Sequence, residues 1–158
     1  MKAANLRRYM NVWPPFLFSG IRVTDIADDF GHARVELRQH WYNRNYVGTH
    51  FGGSLFAMAD PFWMILLMRR LGPGYMVWDQ AGEIRFEKPG RGTVVADFRL
   101  EDAVVDQIRA AAAGGDKVLH WFETPILDAS GEVVARYRKQ VYTRLKRDRR
   151  EPGATDKT

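Results

Sequence analysis

A single carboxylate interrupts the most apolar stretch of the sequence. Asp60 lies within FGGSLFAMADPFWMILLM, residues 51–68, and Pro61 follows it directly. A buried carboxylate is rare unless it is paired or takes part in chemistry, and an apolar environment makes it a stronger general base. A structural interpretation is equally open, in which Asp60 caps a second helical segment that begins at Pro61.

Two glycines lie where this apolar helix is expected to begin. Gly52 and Gly53 belong to the segment THFGGS. The first N–H groups of a helix have no acceptor within it, and glycine leaves the approach to them open. Such donors can stabilise a carbonyl oxygen that becomes negative during attack. A tight loop needs glycine as well, so the pair alone is weak evidence for a site.

The pattern of apolar residues predicts the elements that hold these groups. A long helix runs from Gly52 or Gly53 to the segment RRLGPG, and Pro61 makes its middle turn irregular. The other predicted elements are a helix at 3–12, a hairpin at 21–38, strands within 75–100, a short helix within 101–116 and a final hairpin at 117–145.

A single apolar helix needs a sheet to cover it, so the predicted fold class is α+β with five or six antiparallel strands. We assign residues 21–145 to this domain, residues 1–20 to an N-terminal helical segment and residues 146–158 to a flexible basic tail. A sheet of this size leaves an edge or a face for a second copy, which predicts self-association.

The composition excludes several classes of function. The chain has 158 residues, a net charge of +5 and no cysteine, so disulfides and cysteine chemistry are absent. The four histidines have no metal-ligand spacing, and the basic tail lacks the interleaved aromatic residues of a nucleic-acid surface. Asp60 and Pro61 argue against a membrane span at 51–68. No signal peptide is recognisable at the N-terminus, and we expect a cytoplasmic protein.

Taken together, the motifs resemble a known family. The pattern N-x-x-G-T-x-F-G-G at 45–53, followed on the helix by Asp60, is similar to the hotdog-fold acyl-CoA thioesterases of the phenylacetate-pathway type. The segments HFGGSLFAMADPFWMILLM, VWDQAGEIRF and KPGRGTVVA are similar to the branch of that superfamily called DUF4442, a domain of unknown function. The resemblance covers about 21–145 and implies the hotdog fold, a curled antiparallel sheet wrapped around one long central helix.

The resemblance also implies a role for each matching residue. Asp60 would be the catalytic carboxylate, either as a general base on water or as a nucleophile toward a thioester. The N–H of Gly52, helped by Gly53, would polarise the thioester carbonyl, and Asn45 would hold the carbonyl or the water. The site would lie between two subunits, with Asp60 of one chain facing Asn45 and Gly52 of the other. No metal or cofactor is implied, apart from coenzyme A as part of the substrate.

Two positions depart from the pattern of those thioesterases. The residue before the glycine pair is His in them and Phe51 here. His50 lies one position earlier, where its side chain is redirected, so it is either a substrate-binding residue, like Phe51 and Gly53, or a loop histidine, the interpretation we prefer. Asp79 falls near a position usually held by Ser or Thr, so it is either a second carboxylate beside Asp60 or an exposed strand residue.

Several cations are candidates for binding the phosphates of coenzyme A, although a positive strand face is also commonly just solvated. They are Lys88, Arg91, Arg136, Arg138 and Lys139.

The resulting hypothesis is a thioester hydrolase that acts on acyl-CoA or on an acyl-carrier thioester, as a homodimer or a dimer of dimers. The alternative is a binding protein that keeps the acyl site without turnover, for which Phe51 is the argument. A dehydratase or hydratase would need a catalytic His–Asp pair, and the spacing from His50 to Asp60 lacks that motif.

Overall fold

A computed structural model describes residues 1–146 of the chain. The elements in chain order are α1 (Ala3–Val12), α2 (Pro14–Leu17), β1 (Ile21–Ile26), β2 (His32–Arg38), α3 (Gly52–Ala59), α4 (Phe62–Leu71), β3 (Tyr75–Phe86), β4 (Thr93–Arg99), α5 (Asp102–Ala112), β5 (Val118–Leu127) and β6 (Val133–Leu145). Most of the predicted basic tail, residues 147–158, lies outside the described residues.

The six strands form one antiparallel sheet in the order β1-β2-β4-β5-β6-β3. Alternating apolar residues give the strands a buried face, and β2, β3 and β6 contact the helices α3 and α4. In β4, for example, Val94, Ala96 and Phe98 are fully buried. The predicted α+β hotdog architecture, with a sheet wrapped around a central helix, is confirmed.

The central helix consists of two consecutive segments, α3 and α4, separated at Asp60 and Pro61. Pro61 has no N–H to donate to the carbonyl of Ala57, which is why the α-helical pattern is interrupted. The helical hydrogen bonds resume where the N–H of Ile65 donates to the carbonyl of Pro61 at 3.0 Å. The irregular turn predicted around Asp60 is therefore present.

The central helix is not buried on all sides by its own chain. Its core-facing side chains are fully buried, among them Met58, Phe62 and Leu66. A stripe at helical spacing on the other side remains partly accessible. It contains Phe56, Asp60, Met64 and Met68.

The two edges of the sheet differ in whether another element covers them. On the β1 edge, the side-chain amide of Asn11 in α1 donates to the carbonyl of Val23 at 2.9 Å and accepts from its N–H at 2.8 Å. This contact blocks strand addition there. The opposite edge is β3, a strand of 12 residues. No other strand of residues 1–146 pairs with its outer side. Within the same residues, no helix is long and apolar enough to cross a membrane.

Candidate active site

The start of α3 presents backbone donors in an open position. The N–H groups of Ser54 and Leu55 both donate to the carbonyl of Phe51. The preceding N–H groups, those of Gly52 and Gly53, have no acceptor among residues 1–146. They are therefore available to an incoming oxygen, as the sequence predicts.

Two aromatic rings lie close to the glycine pair. A Cβ on Gly52 would lie 2.8 Å from the ring of Phe86, and one on Gly53 would overlap the ring of Phe51. The free N–H groups are thus flanked by apolar rings, which sequence reasoning did not foresee for Phe86. Phe51 itself is 56% exposed, so its ring is accessible beside these donors.

A cavity of about 440 Å³ opens beside Gly52. It brings together four of the residues predicted for the site, Asn45, His50, Gly52 and Lys88. Its apolar part comes from residues such as Leu55 and Phe86.

Asn45 holds the loop that leads into α3. Its side-chain NH₂ donates to Thr49 Oγ1 at 2.7 Å and to the carbonyl of His50 at 3.1 Å. Its carboxamide oxygen accepts from the N–H groups of Val47 and Thr49. Both amide hydrogens are therefore engaged within the loop, and a contact of Asn45 with the substrate stays a prediction.

His50 is a buried histidine, with 3% of its surface exposed. Its Nε2 lies 2.8 Å from the carbonyl of Gly92 and must carry the hydrogen, because a carbonyl only accepts. Burial lowers the pKa of His50, although the bond to Gly92 acts in the opposite direction. Nδ1 is buried without a partner among residues 1–146. His50 is therefore a neutral side chain that ties its loop to the residues before β4.

Asp60 belongs to a second group of polar residues and is not isolated. Lys139 Nζ donates to Asp60 Oδ1 at 2.6 Å and lies 3.1 Å from Asp79 Oδ2. The hydroxyl of Tyr137 reaches Asp60 Oδ1 at 3.4 Å, a long contact. The Asp60 side chain is 44% exposed, against 4% for Lys139. The expectation of a lone, buried carboxylate is therefore wrong, because a buried cation accompanies it and solvent reaches it.

The capping interpretation of Asp60 is also wrong. The N-cap position of α4 is Pro61, and no side chain caps this helix. The Asp60 carboxylate points instead toward the Lys139 ammonium and the Tyr137 hydroxyl of β6.

Asp79 does lie beside Asp60, as one of the two sequence interpretations has it. Burial raises the pKa of the Asp79 carboxyl, against the opposing effect of Lys139, and the charge of Asp60 adds to the rise. Asp79 Oδ1 has no partner among residues 1–146. Burial and the two carboxylates also raise the pKa of Tyr137 well above its ordinary value, so its hydroxyl stays protonated.

Three of the proposed phosphate-binding cations lie on β6, and they do not share one face of the strand. Lys139 faces the interior, whereas Arg136 and Arg138 lie on the opposite face, because adjacent strand residues point to opposite sides. Lys139 is thus buried and ion-paired, not a surface cation. The two arginines pair with glutamates of β5 and of the β3 region.

Lys88 and Arg91 lie in the segment between β3 and β4. Lys88 lines the cavity beside Gly52, and its ammonium pairs with Asp128 and Glu132. Arg91 donates to the carbonyl of Gly48 at 3.2 Å.

Within one chain, the donors at the start of α3 and the Asp60 cluster do not meet. Eight residues separate Gly52 from Asp60, or about 12 Å along a helix axis. Asp60 is not among the residues that line the cavity beside Gly52. Within one chain, the two groups therefore do not form a single site.

Known proteins place the chain in a family. The model of the DUF4442 family, a domain of unknown function, matches residues 2–143. No curated protein matches the sequence. Among solved structures, PA5026 of Pseudomonas aeruginosa, described as a protein of unknown function and a probable thioesterase, is 22% identical with a TM-score of 0.82. That comparison covers 92% of this chain and 97% of the other.

Two further structures have the same fold. The Escherichia coli PaaI protein, from the phenylacetic acid degradation operon, is 18% identical with a TM-score of 0.60, over 90% of this chain and 92% of that one. Mouse thioesterase superfamily member 2 is 18% identical with a TM-score of 0.62, over 89% and 96%. At these identities the likeness shows the fold alone. The chain has the hotdog fold of these structures and, because the family model spans most of its length, it belongs to the DUF4442 family.

Proposed function

We propose that the protein hydrolyses an acyl thioester, with Asp60 as the catalytic carboxylate. The observation that carries the proposal is the Asp60 side chain, which is solvent-accessible and fixed by a buried ammonium 2.6 Å away. A second support is the pair of free N–H groups at Gly52 and Gly53, the kind of donor that stabilises a developing oxyanion.

The proposed reaction breaks one C–S bond and forms one C–O bond. A water molecule attacks the thioester carbon, and Asp60 takes a proton from that water. The N–H groups at the start of α3 donate hydrogen bonds to the carbonyl oxygen. Collapse of the tetrahedral intermediate expels the thiolate, which takes up the proton, and a carboxylic acid and a thiol are released. Direct attack by Asp60 would instead break the C–S bond, release the thiolate and form a mixed anhydride. Water then hydrolyses the anhydride to the carboxylic acid and restores the Asp60 carboxylate, and the proton released protonates the thiolate. As proposed, the reaction uses no metal and no cofactor beyond the coenzyme A of the substrate.

We place the site between two copies of the chain. Asp60 of one copy then faces the cavity beside Gly52 of the other. The two groups can meet in this way although they lie apart within one protomer. The accessible stripe of the central helix and the open edge of β3 are the surfaces available for this contact. Lys88 lines the cavity, and Arg91 follows the lining residue Gly90 in the chain. These two cations are the proposed contacts for the phosphates of coenzyme A or for a carrier phosphopantetheine.

A second candidate function is binding of the acyl thioester without turnover. Two observations favour it. Phe51 occupies the position of a histidine in related thioesterases, and both amide hydrogens of Asn45 are engaged within its own loop.

The deciding experiment measures hydrolysis of short, long and aromatic acyl-CoA thioesters by the wild type, by Asp60→Asn and by a control, Asp106→Asn. Asp106 is an exposed aspartate of α5, 70% accessible. We expect one class of substrate to be hydrolysed, the Asp60→Asn rate to fall about 10²-fold or more and the control to remain active. Loss of activity in Asp60→Asn with retained substrate affinity, measured by calorimetry, assigns Asp60 to the chemical step. Tight binding without hydrolysis by the wild type supports the second candidate instead.

A further inference from the structure

The inner face of β6 contains a cation in an otherwise apolar or neutral row. Its inward positions are Ala135, Tyr137, Lys139, Val141 and Thr143, each 3% exposed or less. An ammonium is costly to bury unless carboxylates compensate its charge. Lys139 has two such partners, and they come from different elements of the fold.

The partners of Lys139 differ in their access to solvent. Asp60, at the junction of α3 and α4, is 44% exposed, whereas Asp79 of β3 is 28% exposed. The Oδ1 atom of Asp79 is buried without a partner among residues 1–146. The ammonium therefore reaches from the interior to a carboxylate that a substrate can approach. Tyr137, also on β6, is the remaining titratable group among residues 1–146 with a contact to this carboxylate.

We infer that Lys139 is a positioning residue for the proposed hydrolysis: its buried ammonium compensates the charge of the Asp60 carboxylate and holds it in place for the substrate, while Asp79 anchors the ammonium from behind. This inference rests on the proposed function of Asp60. Lys139 touches no substrate in it, and acts only through the 2.6 Å contact with Asp60.

Loss of the ammonium has a predictable sign. Asp60 must be ionised to accept a proton or to attack. Without the cation, and with Asp79 nearby, the ionised form of Asp60 is less favoured. The acid limb of the pH–rate profile of Lys139→Met is therefore expected at higher pH than that of the wild type. Lys139→Arg keeps a cation, so the acid limb of its pH–rate profile is expected to lie nearer to that of the wild type.

A matched pair of variants isolates this effect from a loss of folding. Removing Lys139 alone leaves Asp79 without a counter-charge, which can destabilise the fold. We therefore compare Asp79→Asn with the double variant Asp79→Asn/Lys139→Met. Both lack the second carboxylate, and they differ only in the cation. The acid limb of the double variant is expected above that of Asp79→Asn, with circular dichroism used to verify that both are folded.

A second readout does not depend on activity. Protein labelled with ¹³C at the aspartate carboxyl carbon reports the pH at which Asp60 titrates, and Asp60→Asn identifies its resonance. We expect this pH to be higher in the double variant than in Asp79→Asn.

The outcomes separate the two hypotheses. If the wild type hydrolyses thioesters but the cation changes neither the acid limb nor the carboxyl titration, Lys139 is merely structural and the inference is wrong, while the proposed function stands. If no substrate is hydrolysed but the carboxyl titration shifts as expected, the proposed function fails and the charge-holding role of Lys139 survives. An unchanged titration in an inactive protein overturns both.

Discussion

At Asp60 the environment is mixed, polar on one side and open on the other. The buried ammonium of Lys139 compensates its charge, while 44% of the side chain remains in contact with solvent. Asp79, the more buried acid, is the one whose pKa is raised, chiefly by burial. The two carboxyls that contact Lys139 thus have different surroundings, one partly open to solvent and one more buried.

His50 provides a prediction that concerns stability instead of catalysis. Burial lowers its pKa in the folded chain below the ordinary value of 6.5. Below about pH 6.5 the unfolded chain takes up a proton that the folded chain does not, so the free energy of unfolding falls as the pH falls. The contribution of His50 is fully present above pH 6.5 and is lost below it.

His50→Gln is expected to flatten this dependence, because the glutamine NH₂ can still donate to the carbonyl of Gly92 but does not titrate. Urea unfolding between pH 5 and 7 measures the slope. Exposed His40→Gln is the control. The residual slope should include His120, whose pKa burial also lowers. An unchanged slope in His50→Gln contradicts the assignment of a neutral, buried imidazole.

At the scale of elements, α4 is attached to β5 by a buried hydrogen bond and by aromatic packing. The indole N–H of Trp63 donates to Thr124 Oγ1 at 2.8 Å. The Trp63 ring stacks on Phe122 with centroids 4.5 Å apart and meets Phe98 edge-on at 5.5 Å. These contacts hold the second helical segment, and with it the turn that carries Asp60.

Thr124→Val keeps the shape of this side chain but removes the acceptor. The buried indole N–H then has no partner, and we expect the free energy of unfolding to fall by about 1–3 kcal/mol. Thr124→Ser is the matched control, since it keeps the hydroxyl and loses one methyl group, at a cost of about 0.8 kcal/mol. Urea denaturation of the three proteins is the measurement. A valine variant at least as stable as the serine variant would show that the hydrogen bond contributes little.

For the whole molecule, the separation of Gly52 from the Asp60 cluster means that the proposed site depends on the association of two copies. The β3 edge and the accessible stripe of the central helix both face away from the chain's own core. If the proposed site forms between two copies, each dimer contains two sites, and each site uses Asp60 of one copy and Gly52 of the other.

Subunit complementation tests this arrangement. Asp60→Asn and Gly52→Leu are each expected to be inactive, the second because leucine fills the approach to the N–H groups. A heterodimer purified through two different tags contains one intact site, so about half of the wild-type activity should return. An inactive heterodimer, formed from folded subunits, would show that both groups act within the same copy.

Local patterns in the sequence were sufficient to predict the fold. The period-2 alternation in strands such as β2 and β4, and the apolar run that ends at Gly72-Pro73-Gly74, predict the elements. The family motif then predicts their arrangement. The irregular turn at Pro61 follows from the missing N–H of proline, which is a local property.

The candidate site was only partly predictable. The donors at the start of α3 follow from the glycine pair, and the alternation in β6 could have shown that Lys139 faces inward while Arg138 does not. What the tertiary structure alone decided is which side chains meet there. Lys139 is 79 residues from Asp60 in the chain, and no local period specifies a contact over that distance. Burial, and with it the pairing of a cation with two acids, is set by how the sheet closes over the helix.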